Sequence, residues 1–214
     1  MRGLFEKDLR LLSTKKQNIL IFCIIILIMA FSVDYTFLIG YGTMLFGIWS
    51  IATISYDEFD NGMPFIMTLP ITAKDYVKEK FIFSGLFVTA GWLASNLVGV
   101  IADLIKGNPI TLSENIAESI STLFIFLAIV SVMIIVELKF GVEKSRTVMM
   151  VLAGAVFAIG LLGSRLLPED QPTIIKSISN ASDLIILMCF IVISIIVIIS
   201  TYLASCRIME NKEY

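Results

Sequence analysis

The chain has 214 residues, 57% hydrophobic and 16% charged, with a net charge of −2 and a mean hydropathy of +0.92. This balance excludes an ordinary soluble domain, which carries more charge and has no repeated apolar runs of membrane-spanning length. There is no histidine, which removes the commonest metal ligand and general base, and the three cysteines form no CxxC pair, so neither a zinc site nor a disulfide framework is supported.

Residues 1–16 carry Arg2, Lys7, Arg10, Lys15 and Lys16. On a helical projection Leu4, Phe5, Leu9, Leu11 and Leu12 share one half, with Asp8 intruding among them. Arg2, Glu6, Lys7, Arg10 and Ser13 share the other half. The pattern predicts an amphipathic helix lying in the membrane interface. A signal peptide is disfavoured, because the basic segment is long and no A-x-A cleavage site follows. Apolar runs then predict six spans, at about 19–33, 35–55, 81–105, 117–136, 147–167 and 184–203. Each is close to the roughly 20 residues a helix needs to cross a bilayer. Asp34 is the only charged residue between the first two, so their turn must be tight. Cys206, just past the sixth, reads as a bystander thiol rather than a lipidation site.

The cations are sorted. The N-terminal segment holds five, loop 56–80 holds Lys74, Lys78 and Lys80, loop 137–146 holds Lys139, Lys144 and Arg146, and the tail holds Arg207 and Lys212. The other side has only Lys106, Arg165 and Lys176. Positive residues are retained on the cytoplasmic side during insertion, so both termini are expected there, in a plasma membrane. The outer loops, about 106–116 and 168–182, are too short for an ectodomain. No internal repeat is visible, and 1–214 reads as a single transmembrane domain of all-α, polytopic class.

Catalytic and ion-coupling chemistry finds little support. Asp34, Asp103, Glu137 and Arg165 lie at or near span ends, while span centres hold neutral groups such as Ser95, Asn96, Ser131 and Ser194. A proton- or sodium-driven carrier and an intramembrane protease are both disfavoured on this ground. No GxxxxGK[ST] phosphate loop occurs. Gly91, Ser95 and Gly99 form a small-residue stripe that suits close helix packing, or a seam between two copies of the protein. Trp49 and Trp92 fall inside spans and read as packing residues.

Loop 56–80 has a clear grammar. Asp57, Glu58 and Asp60 open it, Asn61-Gly62 signals a turn, and Pro64 suits the first turn of a short helix at 64–68 that Pro70 ends. Thr72-Ala-Lys-Asp75 resembles a capping box opening the helix that runs into the third span. The short helix is apolar, with Met63, Phe65, Ile66, Met67 and Leu69. It must bury against something, either the spans or a partner's groove.

At this loop the chain resembles the permeases of ABC-2-type transporters. In Glu58-Phe-Asp-Asn-Gly-Met-Pro-Phe-Ile-Met-Thr-Leu-Pro-Ile-Thr-Ala-Lys-Asp-Tyr-Val, an acidic residue and a glycine precede a Thr-Leu-Pro-Ile step and a helix into span 3. The topology is similar along the whole chain, and the small size resembles bacterial exporters of amphipathic peptides, including the phenol-soluble modulin exporters. The resemblance implies a transport subunit that is not itself catalytic. It would pair with a second permease copy or a related permease, and with two copies of an ABC ATPase subunit. ATP and Mg2+ would sit on the ATPase, with no cofactor on this chain. It further implies that the loop holds the coupling helix docked by the ATPase, drawn from Glu58, Asp60, Asn61, Gly62, Phe65, Ile66, Met67 and Leu69. Phe65, Ile66 and Met67 would be apolar anchors, and Glu58 and Asp60 polar contacts. Gly91, Ser95 and Gly99 would serve helix packing or the permease dimer seam. Lining by Phe, Met, Ile and Gly suits an amphipathic or hydrophobic substrate moved outward, with membrane lipid as surroundings and no nucleic acid as partner. The alternatives are a non-transport membrane scaffold or assembly factor and a stand-alone secondary carrier.

Overall fold

The computed structural model describes residues 2–59, 62–107, 112–166 and 183–212, and among these all regular structure is helical. Apolar runs of this length can satisfy their backbone groups in lipid only as helices or a closed barrel, and they lack the alternation of barrel strands. The elements in chain order are α1 (Arg2–Thr14), α2 (Lys16–Ser32), α3 (Tyr35–Glu58), α4 (Gly62–Met67), α5 (Ala73–Lys106), α6 (Leu112–Leu166) and α7 (Asp183–Glu210). Among the described residues four helical stretches are long and apolar enough to cross a membrane: Tyr35–Glu58, Ala73–Lys106, Ile116–Ala155 and Leu187–Glu210. Helices α1 and α2 meet at 69° and together would make a fifth.

Local chemistry sets the junctions. Only Val33 and Asp34 separate α2 from α3, and both are extended. Helix α5 opens on the Thr72–Asp75 capping box, with the Asp75 N–H donating to Thr72 Oγ1 at 3.1 Å. It closes on Gly107, whose φ of 72° lets its N–H return to the Leu104 carbonyl. The loop expected at 137–146 is shorter than its charges imply. Helix α6 breaks at one residue, Gly141, with φ 74° and ψ 169°, and helix resumes at once. Lys139, Glu143, Lys144 and Arg146 lie exposed on two helix ends rather than in a loop, while Glu137 is buried and accepts from the Ser55 hydroxyl.

Helix α3 is the centre of the packing. Its Gly42, Gly47, Phe46 and Tyr35 meet α5 and α6 closely. A Cβ on Gly47 would lie 2.8 Å from Val130, and one on Gly99 would lie 2.8 Å from the Tyr35 ring. Gly91 faces Phe46, and Ser95 faces Gly42, so the stripe on α5 is spent on packing against α3 of the same chain. Trp49 stands among Phe22, Phe46 and Phe87, and the Trp92 indole donates to the Ser119 carbonyl at 2.8 Å. Cys206 is buried in the core cluster beside α4, which keeps its thiol from the surface.

Two substitutions separate close packing from open surface on α5. Gly91→Ala places a methyl 2.6 Å from Phe46 Cβ. It is expected to lower stability by about 1–3 kcal/mol. Gly85→Ala meets nothing within 4 Å. Its better helix propensity is expected to raise stability by up to about 1 kcal/mol. Thermal unfolding of the purified protein in detergent checks both signs.

Candidate functional site

Helix α4 is short and two-faced. Met63 and Ile66, one helical turn apart, are 6% and 7% exposed and join a cluster with Leu4, Tyr76, Leu138, Cys206 and Met209. Phe65 is 70% exposed and Leu69 43%. Phe59, just before α4, is also exposed. The two fates open to an apolar helix are therefore both realised, on opposite faces. Of the three residues read as outward anchors, Phe65 stands out from the surface, Met67 is half-buried and Ile66 points inward. Gly62 starts the helix so close to the chain before it that a Cβ would lie 2.8 Å from the Asp57 carbonyl. Asp60 and Asn61 lie outside the described residues.

Glu58 is engaged inside the protein rather than projecting with α4. Its Oε2 accepts from the Val142 N–H at 2.7 Å, and its carboxylate lies against Gly141. Val142 begins the second arm of α6, where the first N–H groups have no intrahelical partner. A carboxylate there satisfies one of them and complements the positive end of the helix. A groove of about 490 Å³ follows this junction, lined by Glu58, Phe59, Phe140, Glu143, Lys144 and Arg146 among others.

Beneath α4 lies a buried ionic cluster that spans three helices. Lys80 of α5 is 1% exposed and pairs with Asp8 of α1 and, at 2.8 Å, with Asp57 of α3. Lys7 pairs with Asp57 and, at 3.0 Å, with Asp8. The Tyr76 hydroxyl donates to Asp57 at 3.0 Å, and the Lys80 ammonium to Thr53 at 3.2 Å. Glu79 is buried beside Lys80. Charges are buried only when paired and hydrogen-bonded, so the cluster fixes the relative placement of α1, α3 and α5. Asp57 and Lys80 flank the α4 segment in sequence, so their pairing closes its base. None of these groups was assigned a role from the sequence. The available signal was Asp8, a carboxylate on the apolar side of α1, whose buried face is Leu4, Asp8 and Leu12.

The end of α7 supports the same region. Met209 is 2% exposed, Lys74 pairs with Glu210 at 2.9 Å, and the Lys212 ammonium donates to the Leu138 carbonyl at 3.2 Å. At the opposite end of α3 the part-buried links are neutral, and the exposed Glu118 carboxylate accepts from Thr36 at 2.7 Å. Tyr35 and Ser119 both donate to Asn96 Oδ1, at 2.9 and 2.7 Å. Among the described residues no group of three acidic, histidine or cysteine side chains is placed to hold a metal ion.

A family model described as ABC-2 family transporter protein matches residues 3–210. No curated protein and no solved structure matches the chain.

Lys80→Met would leave Asp8 and Asp57 buried with Lys7 as their one remaining cation. It is expected to cost about 3–5 kcal/mol, the penalty of an uncompensated buried charge. Adding Asp8→Asn should recover part of the loss, because the two positions share one interaction. Unfolding temperatures of the single and double variants check this.

Proposed function

The chain belongs to the ABC-2 transporter family, and we propose that this permease works as the membrane half of an exporter driven by a separate ATPase. In this reading α2, α3, residues 81–105 of α5, the two arms of α6 and α7 supply six spans of one domain covering 1–214. Each arm of α6 is about 40 Å long at 1.5 Å per residue, sufficient for a bilayer. Helix α1 lies in the inner interface of the plasma membrane, and both termini are cytoplasmic, as the sorting of cations favours.

The observation that carries the proposal is the divided burial of α4. Met63 and Ile66 root it in the bundle while Phe65, 70% exposed, stands clear at its surface. An exposed aromatic on a rooted helix is an anchor for a partner's apolar groove. Asp60, Asn61, Gly62, Met67 and Leu69 form its surroundings in the sequence. The ATPase, in two copies, holds ATP and Mg2+. A second permease, identical or related, completes the membrane unit. Closure of the ATPases displaces α4, and because Asp57 and Lys80 close its base, the displacement passes to α3, α5 and α1 together. Glu58 then carries it to the break in α6. Its role is transmission to α6 rather than contact with the ATPase.

The substrate is amphipathic or hydrophobic, with peptides one such class. A groove of about 680 Å³ between α3 and α6 is lined by Phe37, Tyr41, Met44, Ile125 and Phe126, with Asp34 and two threonines. That lining gives a charged hydrophilic solute few partners.

The test is purification from the native membrane in mild detergent with mass spectrometry of what accompanies the chain. A stoichiometric ATPase is expected. Phe65→Asp should reduce its recovery at least about 30-fold, as loss of an interface anchor worth 2 kcal/mol or more. Insertion and unfolding temperature should not change, since Phe65 is exposed. Unchanged recovery of the ATPase refutes docking on α4. In reconstituted vesicles, preference for a small sugar over an amphipathic peptide refutes the substrate reading.

A further inference from the structure

The cluster under α4 has one carboxylate too many. Asp8, Asp57 and Glu79 face Lys7 and Lys80, three acids against two bases. Both ammonium groups are engaged with Asp8 and Asp57. Glu79 is 3% exposed, and neither of its carboxyl oxygens has a hydrogen-bond partner. Its nearest cation is the Lys80 ammonium, at 3.9 Å. The charged groups that face it are Lys80 on its own helix, Asp8 and Lys7 on α1 and Asp57 on α3. An ionised carboxylate in that position would be buried, unbonded and next to two other carboxylates. Each of those conditions disfavours the charged form.

We propose that Glu79 is a proton-binding site in the base of α4. With Glu79 neutral, the two aspartates and two lysines balance and the buried cluster carries no net charge. Loss of the proton places an unmatched negative charge where α1, α3 and α5 meet, and it is relieved by opening the base to water. The base is therefore a joint whose closed form binds one proton more than its open form. This assigns a titrating group to a region that the transport reading treats as a rigid connection, and its test needs no ATPase and no substrate.

The sign follows from linkage. An unfolded glutamate ionises near pH about 4.3. A carboxyl that keeps its proton in the fold adds stability that is full below the unfolded pKa and is lost as the pH rises from that value through the folded pKa. Unfolding temperatures of the whole protein and of Glu79→Gln should be compared in detergent at about pH 4, below the unfolded value, and about pH 8.5. The glutamine is neutral at both. The two proteins should match at the lower pH, and the variant should be more stable by about 3 °C or more at the higher. A variant equally or less stable than the parent at the higher pH overturns the proposal. If Glu79→Gln does not accumulate, the infrared spectrum of Glu137→Gln, which lacks the other glutamate buried among the described residues, decides. A protonated-carboxyl band at neutral pH that shifts when Glu79→Asp is added supports the site; no band, or a band that does not shift, overturns it.

Discussion

The pairing of Lys80 with Asp8 and Asp57 is the constraint on which this end of the structure rests. A buried ammonium cannot be left unmatched, and its two partners come from two other helices. Helices α1, α3 and α5 are thereby fixed against one another at a single point. Everything hung from that point inherits its position: α4 between Asp57 and Lys80, the core cluster of Met63 and Ile66, and the last turns of α7 against Leu138. Apolar contacts alone tolerate sliding of one helix along another. A shared charge with hydrogen bonds from Tyr76 and to Thr53 does not.

The two ends of α3 are built in contrasting ways. Near Tyr35, neutral hydrogen bonds through Asn96 and Ser119 join three helices. Near Asp57, full charges do so. Neutral groups lose little when exchanged for water or for one another, whereas charges resist separation until water reaches them. Between the two lies a seam of small residues, where Gly42 and Gly47 let α5 and α6 approach. The α4 end is thus the stiffer one.

Much of this architecture was legible in the sequence, because its signals are local. The Thr72–Asp75 cap, the two-residue turn at Asp34, the short helix near Pro64 and the stripe of Gly91, Ser95 and Gly99 each lie within one element or its junction. The features the sequence could not show are contacts between elements far apart in the chain. Ile66 and Phe65 are adjacent apolar residues, and only the neighbouring cluster decides which turns inward. Glu58 meets Val142, 84 positions away, and Lys80 meets Asp8, 72 positions away. Counted as a loop cation, Lys80 looked solvated. Asp8 looked like an imperfection in an amphipathic pattern, when it was the one sign that α1 faces a buried base.

The break in α6 has a mechanical meaning. A flexible loop between two membrane helices absorbs the motion of one before it reaches the other. Here the connection is a single glycine, with its neighbour's N–H held by Glu58. There is no slack to take up. Motion of the first arm reaches the second through one residue and the Glu58 hydrogen bond, much as a crank turns two shafts through one pin. Lengthening that connection by even a few flexible residues would disconnect the shafts while leaving each helix intact.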